Sequence, residues 1–311
     1  MHATEAPSGR LTHLGILRFT GPDALSFLQG QITNDAQRLA ANQPLLAAYL
    51  NPQGRVLALI YLLPHSSGTL AILPRELVQS TAERLRKFVL RAKVKIDDPG
   101  ESLVVSGYHG APALAQAGLP VPLGGAGYVE VGGIGVARVG HDEVRHWVVA
   151  PPNARLDALD AAAAIERRWR LADVHAGLPQ VYGVTCEAFV AQMLNLDLLD
   201  GISFNKGCYT GQEIVARTQH LGRIKRRLFR VRLPRGAWRI GDEVFLGDGR
   251  QGRLAEVVEC DDATEGLAVL NLAAQPAPPG AAPPAVDAAP AAAPAPAAAL
   301  GVEVPLPYAL A

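Results

Sequence analysis

The spacing of apolar positions changes repeatedly along this chain, and each change marks an element. Leu11 to Phe19 has strand character. Thr20-Gly-Pro22 then opens a short helix, with the proline at a first-turn position and Ala24, Leu25, Phe27 and Leu28 as its buried side. Gln29 to Asp35 follows as a polar loop. Leu45 to Leu50 and Arg55 to Leu63 are apolar runs joined by Asn51-Pro-Gln-Gly54, whose turn-forming residues predict a hairpin. Thr69 to Leu73 makes a third strand. From Glu76 to Lys93 the period is helical, with Leu77, Val78, Leu85, Phe88, Val89 and Ala92 on one face and Arg84, Arg86, Lys87 and Arg91 on the other. Val94 to Ile96 and Leu103 to Tyr108 return to strand character. Ala111 to Ala117 suggests a short helix, Gly124 to Val149 two or three strands, and Leu156 to Trp169 another helix.

Beyond Gly222 the texture changes. Leu228 to Leu233 alternates, with Arg230 and Arg232 outward. Glu243 to Leu246, Arg253 to Cys260 and Leu267 to Leu272 are further short strands between turn-like connections, a spacing that suggests a small barrel or sandwich. Residues 273–299 are almost entirely alanine and proline, a composition expected to be disordered or extended. Strand character resumes at Gly301, and Pro305 limits that strand to an edge. The expected organisation is an α+β body over residues 8–226 and a C-terminal antiparallel β-barrel over 227–311, interrupted by the Pro/Ala-rich insertion 273–299.

Composition narrows the function classes. Lysine plus arginine and aspartate plus glutamate both number 29, so no global field points to nucleic acid or membrane. The three cysteines, at 186, 208 and 260, form no C-x-x-C pair, which argues against a disulfide framework and a cysteine-built zinc site. Alone, the chain also lacks the thiolates to hold an iron–sulfur cluster. There is no G-x-G-x-x-G and no P-loop. No basic start precedes an apolar run, and no stretch approaches the roughly 20 apolar residues of a membrane-spanning helix. The default expectation is a soluble cytoplasmic protein.

Candidate chemistry concentrates in Lys206-Gly-Cys-Tyr-Thr-Gly-Gln-Glu213. The residues after it, Ile214 to Leu221, suggest a short helix. Thr210 and Glu213 stand at capping-box spacing, which would put Cys208 two residues upstream of a helix cap. A thiol near a helix N-terminus and beside Lys206 would favour thiolate, hence a nucleophile or soft metal ligand. A cysteine filling a glycine-rich turn is the alternative. A second feature is the basic run Arg217, Arg223, Lys225, Arg226, Arg227, Arg230, Arg232, Arg235 and Arg239, with no acidic residue between its ends. It suits RNA phosphates or the glutamate tail of a folate, or simply the solvated face of a strand.

The longer string Asp200-Gly-Ile-Ser-Phe-Asn-Lys-Gly-Cys-Tyr-Thr-Gly-Gln-Glu-Ile-Val-Ala-Arg217 closely resembles the signature of the YgfZ family of folate-binding proteins. These are relatives of the glycine-cleavage T-protein, an aminomethyltransferase. Gln29 to Asp35, Asn51 to Arg55, Leu85 to Val94 and Trp169 to Pro179 also resemble family segments, and a Leu-Pro-Tyr sequence like that at 306–308 closes the family's last barrel strand. The resemblance implies a T-protein-like fold and a tetrahydrofolate site drawing on Asn34, Asp35, Arg91, Trp169, His175, Tyr209, Gln212 and Arg217. At His175 the family usually has a glutamate expected to meet the pterin.

The resemblance further implies a part in assembling or maintaining iron–sulfur proteins, including a tRNA-modifying enzyme. Cys208, with Lys206, would be the reactive pair. Its thiol would supply one ligand to a transient cluster shared with an assembly protein or client enzyme. Two other functions compete: one-carbon transfer of the T-protein kind, and a tRNA-binding module using Arg217 to Arg239. Against transfer, the T-protein's aspartate after the third strand is missing from Ile72-Leu-Pro-Arg-Glu-Leu-Val-Gln79, leaving only Glu76.

Overall fold

Strands β3 (Leu45–Leu50) and β4 (Val56–Leu63) are buried along their whole length, as near-continuous apolar runs require when both faces of a sheet are covered. The Asn51 turn joins them: its side-chain Oδ1 accepts from the Arg55 amide at 2.9 Å, and Gly54 takes a left-handed φ of 70°. Around this hairpin lie β1 (Gly9–Arg10), β2 (Leu14–Thr20), α1 (Ala24–Gln29), β5 (Thr69–Pro74), α2 (Val78–Arg86) and β6 (Lys95–Asp97). The computed structural model describes residues 8–123, 127–140, 145–152, 162–220, 222–272 and 301–310. The Pro/Ala-rich segment, residues 156–161 of the expected helix before Trp169, Leu221 and residues 124–126 lie outside them.

Among the described residues the strands form three antiparallel sheets of five. The first runs β3-β4-β5-β2-β6. The second contains β1, β7 (Val104–His109), β8 (Tyr128–Val131), β9 (Ile134–Arg138) and β10 (Arg145–Ala150), in the order β1-β7-β10-β9-β8, with α3 (Gly110–Gln116) against it. Helix α4 (Ala162–Ala176) leads to the irregular segment 177–211 and to α5 (Gln212–His220). The third sheet has β11 (Arg226–Leu233), β12 (Glu243–Phe245), β13 (Gln251–Glu259), β14 (Thr264–Asn271) and β15 (Val302–Val304), ordered β12-β13-β14-β11-β15. The fold class is α+β, as the sequence predicts.

Three details differ from expectation. The C-terminal sheet is open rather than a closed barrel: among the described residues its edges meet at one parallel bridge, Leu246 to Gly301. Helix α2 stops at Arg86, and Phe88 is exposed instead of buried. The chain must turn there so that Lys95 can pair with Thr20 and the Lys93 amide can reach the Asp23 carboxylate at 2.6 Å. Pro22 precedes the start of α1 at Ala24, so it sits outside the helix.

One large core runs through the first two sheets and takes in Ile165, Trp169 and Val174 of α4, while a smaller cluster lies within the third sheet. Residues after the Pro/Ala segment are tied back to the body. Tyr308 donates its hydroxyl to the Gly177 carbonyl at 2.8 Å and packs where a side chain at Gly177 would stand.

Candidate functional site

The cysteine segment is fastened to the first sheet from both sides. Upstream, the Thr33 hydroxyl donates to the Gly201 carbonyl at 2.7 Å, the Ser203 amide donates to the Thr33 carbonyl at 2.9 Å, and Asn34 Nδ2 donates to the Asp200 and Leu46 carbonyls at 2.6 and 2.8 Å. Lys206 completes the seam. Its Nζ donates to the carbonyls of Gln29 and Ile32 at 2.7 Å and of Asn34 at 2.9 Å, and lies 4.9 Å from the Tyr209 ring centroid. Burial lowers this ammonium to about 8, partly opposed by the Asp35 carboxylate. Burial likewise pushes the Tyr209 phenol up to about 12.

Downstream, Gly211 has a φ of 81°, and a Cβ there would lie 2.6 Å from the Asn51 carbonyl oxygen. Gly54 is as tight against α5, since its Cβ would meet Ile214 at 2.6 Å. The hairpin turn therefore meets the backbone at Gly211 and the Ile214 side chain of α5. Between these fixings Cys208 is exposed, and a Cβ added at Gly207 before it would meet nothing within 4 Å.

This geometry changes the roles read from spacing. Helix α5 starts at Gln212, with Gly211 just before it, so Thr210 does not occupy the cap position and the Thr210–Glu213 capping box is not formed. Cys208 stands four residues before the helix, beyond the first turn over which the dipole acts strongly. The Lys206 donors point at three carbonyls, so this side chain works as a clamp on residues 29–34.

The residues attributed to a folate site are divided: Asn34, Asp35 and Tyr209 meet around Lys206, while Trp169 and His175 belong to α4. Trp169 is 1% exposed and belongs to the core, stacked on Trp147 at 6.4 Å between ring centroids; its buried indole N–H has no hydrogen-bond partner among the described residues. It forms no wall of an open cavity. Asn34 is buried, and its side-chain oxygen accepts from the Asp35 amide while its nitrogen holds two carbonyls. Asp35 accepts from the Gln37 amide and from Gln29 Nε2. His175 contacts Glu265 at 2.9 Å. Arg91 is exposed on the loop beyond α2, and Arg217 is exposed on α5, neither paired with an acid among the described residues. Tyr209 and Gln212 flank Cys208, joined by the Gln212 amide to the Tyr209 carbonyl at 3.2 Å.

The basic run is also divided. Arg227 is buried and holds Asp197 through two bonds of 2.6 and 2.9 Å. Arg230 pairs with Glu265 at 2.7 Å, Arg232 pairs with Asp262, and Arg226 donates to Asn271. Among the described residues Arg217, Arg223 and Lys225 have no acidic partner before β11, nor do Arg235 and Arg239 beyond it. An eight-residue strand separates these groups by roughly 25 Å. The acids that neutralise the middle come from elsewhere in the chain, which adjacency in sequence does not reveal.

A cleft of about 1080 Å³ opens beside α5 and the start of β11, lined by Phe204, Arg223 and Lys225 among others. Sequence reading missed it. Phe204 within an otherwise polar stretch was the available signal. Among the described residues no group of three or more His, Cys, Asp or Glu side chains could hold a metal ion, and no helix is long and apolar enough to cross a membrane.

The tRNA-modifying protein YgfZ of Colwellia psychrerythraea is 31% identical over 225 residues, covering 70% of this chain and 69% of that protein. The chain belongs to the YgfZ family. The YgfZ protein of an Enterobacter species is 31% identical over 257 residues, covering 78% of each chain. Against models of known protein families, the chain finds no match. In structure, the YgfZ-type chain is similar to the glycine cleavage system aminomethyltransferase T from Bartonella henselae, with a TM-score of 0.65, 18% identity, and coverage of 86% of this chain and 79% of that one. That likeness concerns the fold.

Proposed function

We propose that this chain is an accessory factor for iron–sulfur proteins that serve tRNA modification, with Cys208 as its reactive group. The observation that carries the reading is an exposed thiol on a segment clamped on both sides, by Lys206 and by Gly211. Such a thiol reaches solvent while its backbone stays in place, the arrangement needed to present one sulfur to a partner. Cys186 is less accessible, and its Sγ lies 3.5 Å from the Leu57 carbonyl, so it is the poorer candidate. A cluster bound here would draw its other ligands from the partner. The relatives named tRNA-modifying proteins support the process.

Folate enters through the fold shared with an aminomethyltransferase. The residues attributed to it do not fit a pterin cradle: Trp169 is sealed in the core, and the polar atoms of Asn34 and Asp35 hold their own loop. No step is therefore routed through folate. One-carbon transfer is disfavoured by a specific contact. Glu76, the remaining carboxylate in the region of the T-protein's aspartate, accepts from the Gly183 amide at 2.8 Å.

Replacing Cys208 with alanine tests the proposal. In cells lacking the wild-type gene, the variant should fail to restore those tRNA nucleosides made by iron–sulfur enzymes, measured by mass spectrometry, while the purified protein stays folded. Full restoration would remove Cys208 from the function.

A further inference from the structure

The cleft beside α5 has two kinds of wall. Phe204 is 38% exposed and meets His220 edge to face, with ring centroids 6.4 Å apart. Leu198, Ile224 and Leu272 add apolar surface to the lining. Arg223 and Lys225 stand exposed at the same cleft, without an acidic partner among the described residues. Asp197 is the acid of the lining, and it is engaged by the buried Arg227. The cleft therefore presents a flat aromatic face and net positive charge, the combination that single-stranded nucleic acid requires. A duplex would contact phosphates without using an aromatic face inside a cleft.

We propose that this cleft binds a single-stranded segment of RNA, one base lying against Phe204 and neighbouring phosphates meeting Arg223 and Lys225. The proposal deepens the tRNA-modification reading and rests on it for the choice of RNA. It places the contact at the unpaired group before β11 and excludes Arg227, Arg230 and Arg232, whose charges are already neutralised within the fold.

The test uses the purified full chain and a fluorescein-labelled oligouridine, with anisotropy read from about 50 to 200 mM salt, the range over which phosphate contacts lose strength. Phe204→Ala should weaken binding about 5- to 150-fold, the range for one lost base stack, and leave the salt slope unchanged. The double variant R223Q/K225Q should lower the slope of log affinity against log salt by about 1.4, since each phosphate contact on a single strand contributes about 0.7. The pair R235Q/R239Q, beyond the far end of β11, should bind like wild type. All five side chains are at least partly exposed, so unchanged melting temperatures verify folding. Absence of binding at about 100 µM, the weak end of non-specific affinity, overturns the proposal. So does undiminished, wild-type binding by the Phe204 and Arg223/Lys225 variants, or stoichiometric displacement of the oligonucleotide by a reduced folate, which would assign the cleft to that ligand. C208A should bind as wild type does, so the RNA site and the thiol reading fail separately.

Discussion

The two glycines flanking Cys208 should respond to alanine in opposite ways. At Gly211 the backbone is left-handed, with φ at 81°, and an added Cβ would sit 2.6 Å from the Asn51 carbonyl oxygen and 3.1 Å from Gly54 Cα. The left-handed conformation costs a non-glycine residue about 1–2 kcal/mol. The clash falls on backbone rather than a movable side chain, so relieving it displaces α5 from the hairpin turn, at about 1–3 kcal/mol by analogy with overpacking. Gly211→Ala should therefore lose about 2–5 kcal/mol in urea denaturation. Gly207 has no positive φ and no atom within 4 Å of its would-be Cβ, so Gly207→Ala should lie near wild type or gain about 0.4–1 kcal/mol from a stiffer unfolded chain. Amide exchange over residues 208–220 should accelerate in the Gly211 variant alone. If the two variants unfold at the same urea concentration, Gly211 does not anchor the cysteine segment and the argument for a clamped thiol fails.

Further outcomes follow from the same contacts. Lys206→Met removes three donors from carbonyls of residues 29–34; three charge-assisted bonds at about 1.5 kcal/mol each, less about 2 kcal/mol of recovered side-chain entropy, predict a loss of about 2–3 kcal/mol and faster amide exchange across that loop. Unchanged exchange there would refute the clamp. Arg227→Ala strands the buried Asp197 carboxylate and should cost about 3–5 kcal/mol by denaturation, whereas Arg223→Ala should be nearly neutral. Glu265 is disfavoured as an anion by burial, yet Arg230 and His175 together hold it below the usual carboxylate range. A lowered folded value means its stabilisation is present above the ordinary value of about 4.3 and lost as pH falls through the folded one, so Glu265→Gln should flatten the acid limb of melting temperature against pH.

The elements were legible where local pattern and burial agree. The hairpin around Asn51 appeared because its strands are apolar throughout and its turn residues have fixed conformational uses. The endings of elements were less legible. Phe88 keeps helical spacing with Leu85, but the need to pair Lys95 with Thr20 ends the helix before it. The motif around Cys208 was visible as a string, but the work of its members was not. Lys206 looks like a partner for the thiol because the two are neighbours in sequence, while its acceptors lie 172 to 177 residues away.

Sequence alone determined the α+β class, most of the strands, the family and the place of the cysteine within it. Tertiary structure decided which polar and aromatic groups are still free to act. Asn34, Trp169 and Arg227 read as surface chemistry, yet the fold uses each of them internally, and Arg223, Lys225 and Phe204 are left facing a cleft. The reason is physical. A buried polar group must find a partner, that partner is usually distant in the chain, and only folding shows which groups are already satisfied.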